Sequence, residues 1–286
     1  MPEERLTKNQ KREAAREAAR AAREKQKRRE RLLKWLVPTV STLVVLALGA
    51  GITWVIVANQ PGPQSAEGPR NMISDGILFT AQDGDIAPVT TPAIQPSAEP
   101  VPTDIEDDGL AHIVTYVDFS CPACKSFEET YAEIFQSLVA GGQATLEVHP
   151  IAILDNAYAG SRYSSRANNV GACVADLAPE SFLDVMAAMY AGQPEEGTTG
   201  LTDAAIIDLV HGAGLVDDEV DTCIDDEFYA PWVAAATRRA TSDASLVVPG
   251  NAGLSTPTVV VNGQLWDRST DVLSFIQSQM SAPTEG

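Results

Sequence analysis

The stretch Val117-Asp118-Phe119-Ser120-Cys121-Pro122-Ala123-Cys124-Lys125-Ser126-Phe127-Glu128 decides how the chain folds. It joins two patterns of different period. Upstream, His112 to Phe119 is rich in β-branched and aromatic residues and reads as a buried strand. Downstream, Phe127, Tyr131, Ile134, Phe135, Leu138 and Val139 recur at helical spacing and predict a helix from Pro122 to about Ala140. Gly141-Gly142 ends that helix. Ala144 to Ile153 reads as a second strand, so the segment is a βαβ unit.

The cysteines sit at the junction. Pro122 is favoured at the first helical position, which makes Cys121 the N-cap and Cys124 a residue of the first turn. A thiolate at Cys121 then faces the N–H groups of Ala123 and Cys124 at the positive end of the helix. Its pKa is expected to fall, making Cys121 the attacking sulfur and Cys124 the resolving one. Two other readings of Cys-Pro-Ala-Cys stand beside this. One is half of a zinc site completed by Cys173 and Cys223, although those two are not a close-spaced pair. The other is a passive structural disulfide.

Charge supplies the context. The 286 residues carry a formal net charge of −19. Residues 1–34 hold 13 Lys/Arg against 6 Asp/Glu, net +7, whereas the rest holds 7 against 33, net −26. So acidic a body argues against nucleic-acid binding, which needs clustered Lys and Arg. Four cysteines are too few for a disulfide-dense mini-protein, and 6% aromatics with ordinary Gly and Pro exclude a collagen-like or wholly disordered chain.

No ionisable side chain lies between Lys34 and Glu67. Its apolar part, Leu36–Ala58, has 23 residues. As a helix it spans about 34 Å, enough for a hydrocarbon core of about 30 Å. Trp35 and Trp54 lie near its ends. The run is longer than the apolar part of a cleaved signal peptide, so residues 35–58 read as a signal anchor. Nine Lys/Arg from Arg16 to Lys34 place the N-terminus in the cytoplasm and the remainder outside. Residues 1–34 then form a basic cytoplasmic segment.

Residues 59–108, rich in Pro, Gly, Ser and acids, read as an extended extracytoplasmic linker with one island, Gly76–Thr80, able to add a short edge strand. The folded domain is expected over 109–286. Within it, 158–245 is helical in pattern, Asn262-Gly263 is a hairpin signal, and Ser269–Met280 fits a last helix. His112, His149 and His211 lack metal-ligand spacing and read as fold or surface residues.

The quoted segment resembles the active site of DsbA-like thioredoxin-fold oxidoreductases, particularly the membrane-anchored ones of Gram-positive bacteria. Leu254-Ser-Thr-Pro-Thr-Val-Val-Val-Asn-Gly263 is similar to their second signature. The resemblance implies an α/β thioredoxin fold with a helical insertion, a cis bond before Pro257, and a loop with Thr256 facing the cysteines. That loop presents backbone groups to a substrate chain and keeps metals off the thiols. Two positions, Ala123 and Thr115, depart from the family pattern. Ala123 stands where many members have His, which implies a less oxidising disulfide. Thr115 occupies a position that often carries a buried acid. Asp118 is the nearest carboxylate, either a proton acceptor for Cys124 or a surface residue at the strand end. Lys125 adds positive charge near Cys121 or is simply exposed.

Outside the membrane unpaired thiols are a liability, so Cys173 and Cys223 are expected to pair, closing a loop of about 50 residues worth about 3–4 kcal/mol. The rival is an electron shuttle to Cys121–Cys124; the resemblance favours the structural role. The function implied is an extracytoplasmic thiol–disulfide oxidoreductase that oxidises cysteines of exported proteins and needs no cofactor. By the resemblance, a membrane quinone-linked partner of the DsbB or vitamin-K-epoxide-reductase (VKOR) type reoxidises it. The alternatives are a reductase or isomerase, for instance in cytochrome c maturation, and a non-catalytic metal- or protein-binding module.

Overall fold

The computed structural model describes residues 64–280, except 66 and 105–107, together with 20, 23 and 25–28, which are helical. The chain divides into Met1–Gln60 and Pro61–Gly286, and the sheet and helices below belong to the second unit. Among the described residues no helix is long and apolar enough to cross a membrane. The apolar run 36–58, which carries the anchor expectation, lies outside them.

The strands are β1 (Ile77–Gln82), β2 (Asp85–Pro88), β3 (Ala111–Val117), β4 (Ala144–Pro150), β5 (Thr258–Val261) and β6 (Gln264–Leu265). They form one mixed sheet in the order β2-β1-β4-β3-β5-β6. The β3–β4 pair is parallel, with Ile113 opposite Leu146, and α1 (Pro122–Ala140) makes the crossover between them. The neighbouring pairs are antiparallel. At the β5–β6 turn Asn262 and Gly263 both take positive φ, 49° and 74°, as a two-residue hairpin requires.

One sheet face carries Ile77, Phe79, Ile113, Val117, Leu146 and Val148, packed in the same core as Phe127, Phe135 and Val139 of α1. Burying each such side chain contributes about 1.5–3 kcal/mol. Ile134, placed on the apolar face by its spacing, is 39% exposed. Beyond α1, Gly142 takes φ 65° and its N–H bonds Val139 O, closing the helix.

The helical region between β4 and β5 comprises α2 (Tyr163–Leu177), α3 (Phe182–Ala191), α4 (Asp203–Gly212), α5 (Asp218–Asp225) and α6 (Ala230–Ser242). A Cys173–Cys223 disulfide joins α2 to α5. The last helix, α7 (Val272–Met280), starts three residues later than its sequence pattern indicates and buries Val272 and Ile276 in the main core.

Three expectations are corrected. The domain does not begin at 109. Met72, Ile77, Phe79 and Ile94, from the supposed linker, are buried, and Gly68 and Val101 donate backbone hydrogen bonds to Ile94 and Ile73. Asp75 forms a two-pronged ion pair with Arg239 of α6. The Pro-rich composition is that of a linker, but a few apolar side chains and long-range partners suffice to pack it. Nor is the 76–80 island an edge strand, since β1 lies between β2 and β4. The second strand stops at Pro150 instead of Ile153, because the amides of Ile153 and Leu154 turn to the Asp118 carboxylate.

Candidate active site

Cys121 is the N-cap of α1, with extended φ −85° and ψ 120°, and Pro122 opens the helix. Both Cys121 and Cys124 are free, buried thiols. Cys121 Sγ lies 3.6 Å from Thr256 O, to which it donates while protonated, and makes no side-chain cap bond to the helix. The two sulfurs differ in acidity. A hydrogen bond from Cys124 brings Cys121 down to about 6, helped by the Thr256 hydroxyl and the amides of Cys124 and Ala123 and opposed by burial. Cys124 is pushed well above the ordinary thiol value, chiefly by burial and then by its bond to Cys121. One sulfur is therefore an anion at neutral pH and the other keeps its proton. Pro122 and Ala123, between them, are exposed.

The Thr256–Pro257 bond is cis. The segment is held by Thr258 Oγ1 donating to Ser255 O at 2.6 Å and by Arg268 donating to Pro257 O at 2.6 Å. Thr256 Oγ1 is buried with no hydrogen-bond partner among the described residues, yet it lies near enough to favour both thiolates.

Asp118 is fully buried, which rules out a surface aspartate. Oδ1 accepts from Ser120 N and Oγ and from Asn168 Nδ2; Oδ2 accepts from Ile153 N, Leu154 N and Ser164 Oγ, at 2.6–3.2 Å. The carboxylate ties the Cys121 loop, the chain after β4 and α2 into one knot, and none of its donors is Cys124. These donors come from four separate places in the sequence.

Glu128 was not singled out by sequence reasoning. It lies four residues, one helical turn, beyond Cys124 on α1 and is half-buried. No ion pair or hydrogen bond holds its carboxyl among the described residues, and burial alone raises it to about 7. Tyr190, itself pushed well above its ordinary value by burial, feels the charges of Cys124, Glu128, Asp118 and Cys121 together. Glu128 and the two cysteines thus share Tyr190 as a neighbour whose acidity they all oppose. The i, i+4 spacing of Glu128 from Cys124 was the available signal.

The remaining candidates lie elsewhere. Thr115 is buried and donates to Glu147 O. Lys125 is half-exposed and makes no ion pair among the described residues. With Cys173 and Cys223 joined, the four-cysteine zinc site is removed. His112 bonds Thr145 and Asp108, His149 bonds Glu147, and His211 bonds Asp221. A cavity of about 350 Å³ is lined by Tyr116, Glu147, His149 and Arg239, and neither Cys121 nor Cys124 reaches it. Three donors from the helical region, Tyr158, Gln193 and Tyr190, reach the backbone of the loop before Cys121. Sequence spacing gives no sign of them.

A mixed sheet with a dithiol at the start of its crossover helix, facing a cis-proline loop, defines a thioredoxin-type redox fold. A thioredoxin family model matches residues 106–277, and the chain belongs to that family. Among solved structures, oxidised DsbA from Mycobacterium tuberculosis is 28% identical, with 72% of this chain and 93% of that one covered and a TM-score of 0.51. The reduced disulfide bond oxidoreductase DsbG of the same organism is 27% identical, covering 71% and 87% at a TM-score of 0.50. BdbD from Bacillus subtilis, at 15% identity, covers 78% of this chain and 100% of its own at 0.51 and shares the fold. No curated protein matches by sequence. The chain is an oxidoreductase of the DsbA-like thiol–disulfide class.

Proposed function

We propose that this protein oxidises cysteine pairs of exported proteins through Cys121 and Cys124, from a domain anchored outside the membrane by residues 35–58. The observation that carries the reading is the split between the two sulfurs, Cys121 brought to about 6 beside Thr256 and Cys124 held as a buried thiol.

The chemistry follows from that split. A client thiolate attacks Sγ of Cys121 in the Cys121–Cys124 disulfide, and Cys124 leaves and takes a proton. The client's second thiolate then attacks the client sulfur of the mixed disulfide. Cys121 leaves as a stable thiolate, so the client loses two electrons and two protons and the enzyme becomes the dithiol. Glu128, near neutrality, is suited to move the proton of Cys124. Thr256 O, facing Cys121, is placed to bond a client backbone.

The charge split between a +7 head and a −26 body supports the topology. Reoxidation is assigned to a membrane quinone-linked partner of the DsbB or VKOR type. The test is a Cys124→Ala variant of the full chain in cells. In it the Cys121 thiolate attacks client disulfides, the reverse of the second step, releasing a client thiolate, and with no Cys124 to resolve them mixed disulfides with exported proteins should accumulate, lost on further Cys121→Ala replacement. Absence of any adduct would sink the reading.

A further inference from the structure

The loop into Cys121 is gripped by the helical insertion at three successive carbonyls. Tyr190 Oη donates to Asp118 O at 3.5 Å, Gln193 Nε2 to Phe119 O at 2.9 Å, and Tyr158 Oη to Ser120 O at 2.9 Å. Asp118 O also receives the Cys121 amide at 2.9 Å. Phe119 O and Ser120 O have no backbone donor among the described residues, so Gln193 and Tyr158 are what hold them.

These carbonyls immediately precede the reactive sulfur. A carbonyl oxygen is the negative end of a peptide dipole, and one turning toward Sγ opposes a thiolate. A side-chain donor both fixes its direction and offsets its charge. Tyr158, 1% exposed, also reaches Pro194 O at 3.4 Å, so one hydroxyl links the Cys121 loop to the segment after α3.

The geometry points to Tyr158 and Gln193 as positioning residues for the Cys121 thiolate: by holding Ser120 O and Phe119 O they fix the loop that carries Sγ between the start of α1 and the Thr256 segment. The inference rests on Cys121 being the acidic, attacking sulfur.

An internal control exists. Tyr163 packs against Tyr158 with ring centroids 4.9 Å apart and planes tilted by 56°, but its buried hydroxyl has no partner among the described residues. Tyr158→Phe and Tyr163→Phe therefore remove the same atom from adjacent rings, and only the first frees a loop carbonyl.

The experiment is the rate of iodoacetamide alkylation of Cys121 against pH, on the reduced full chain in detergent, for wild type, Tyr158→Phe, Gln193→Leu and Tyr163→Phe. The other ionisable groups around Cys121 are accounted for. Cys124, Tyr158 and Tyr190 keep their protons well above neutrality, and Asp118, Lys125, Glu128 and Glu196 are unaltered in every variant. Wild type should show a midpoint near 6. Tyr158→Phe and Gln193→Leu should alkylate about threefold more slowly at pH 6, the effect of a rise of about 0.7 unit, with rates at pH 9 unchanged. Tyr163→Phe should follow wild type. Equal shifts in Tyr158→Phe and Tyr163→Phe, or wild-type profiles in both Tyr158→Phe and Gln193→Leu, overturn the inference. Gln193 is half-buried in the segment just after α3, so its variant decides the matter should Tyr158→Phe not fold. A wild-type midpoint near the ordinary thiol value of about 8.5 would instead overturn the reading of Cys121 itself.

Discussion

Replacing Glu128 by Gln separates the carboxyl's cost to the fold from its use in the reaction. Its pKa rises from 4.5 to about 7, with burial as the only cause. A shift of that size corresponds to about 3 kcal/mol against the ionised form; partial exposure lowers this to about 1–3 kcal/mol. The sign follows from linkage: the native state holds its proton where the unfolded state has released it. Stability is therefore lost as pH rises from 4.5 to about 7. Glu128→Gln removes the loss, so it should match wild type near pH 4.5 and exceed it by that amount at pH 8. In melting temperature the gain is about 3–9 °C for a domain of this size. At the same time, resolution of the mixed disulfide by Cys124 should slow by about 10²-fold near pH 7 if the carboxyl moves its proton. The assays are thermal melts from pH 4.5 to 8.5 and stopped-flow reduction of a client-like mixed disulfide. A pH-independent difference, or destabilisation at pH 8, would refute the buried-carboxyl reasoning. Gained stability with an unchanged rate would remove Glu128 from the reaction and leave it a cost of packing.

Three further outcomes are expected. Because folding lowers Cys121 from the ordinary thiol value of about 8.5 to about 6, the reduced protein should gain stability relative to the oxidised one as pH rises from about 6 to about 8.5, and lose that gain on acidification, as measured by urea melts of both forms. Asp118→Ala leaves buried donors from three segments without an acceptor and should cost about 3–5 kcal/mol, read in the same melts. Arg239→Ala strands the buried Asp75 carboxylate and should cost about 1–3 kcal/mol, with faster amide exchange confined largely to residues 68–80.

What was legible in the sequence was local. The helix start at Cys121-Pro122, the βαβ periodicity and the Asn262-Gly263 turn each depend on residues a few positions apart, so spacing alone reveals them. The cis-proline segment at Thr256–Pro257 came only through resemblance, because Thr-Pro by itself indicates a trans bond. Asp118 was visible as a residue, but its surroundings were not, since its donors lie at 120, 153, 154, 164 and 168. Composition misled at 67–104, where prolines and acids outnumber the few buried apolar side chains that dock the segment. Tyr158 and Gln193 lie more than thirty residues from the loop they hold. Glu128 was within reach of a spacing argument, yet only the absence of a partner among the described residues sets it apart.

The direction of electron flow is tested most directly by the reduction potential of the Cys121–Cys124 pair, from glutathione equilibrium read by alkylation and mass spectrometry. Stabilisation of the Cys121 thiolate favours the dithiol and makes the disulfide an oxidant; Ala123, in place of a donor, limits the effect. An oxidase of this kind should lie well above thioredoxin, toward the DsbA end of the range at about −120 mV. A value at or below about −270 mV, that of thioredoxin, would contradict an oxidase and leave a reductase on the same fold.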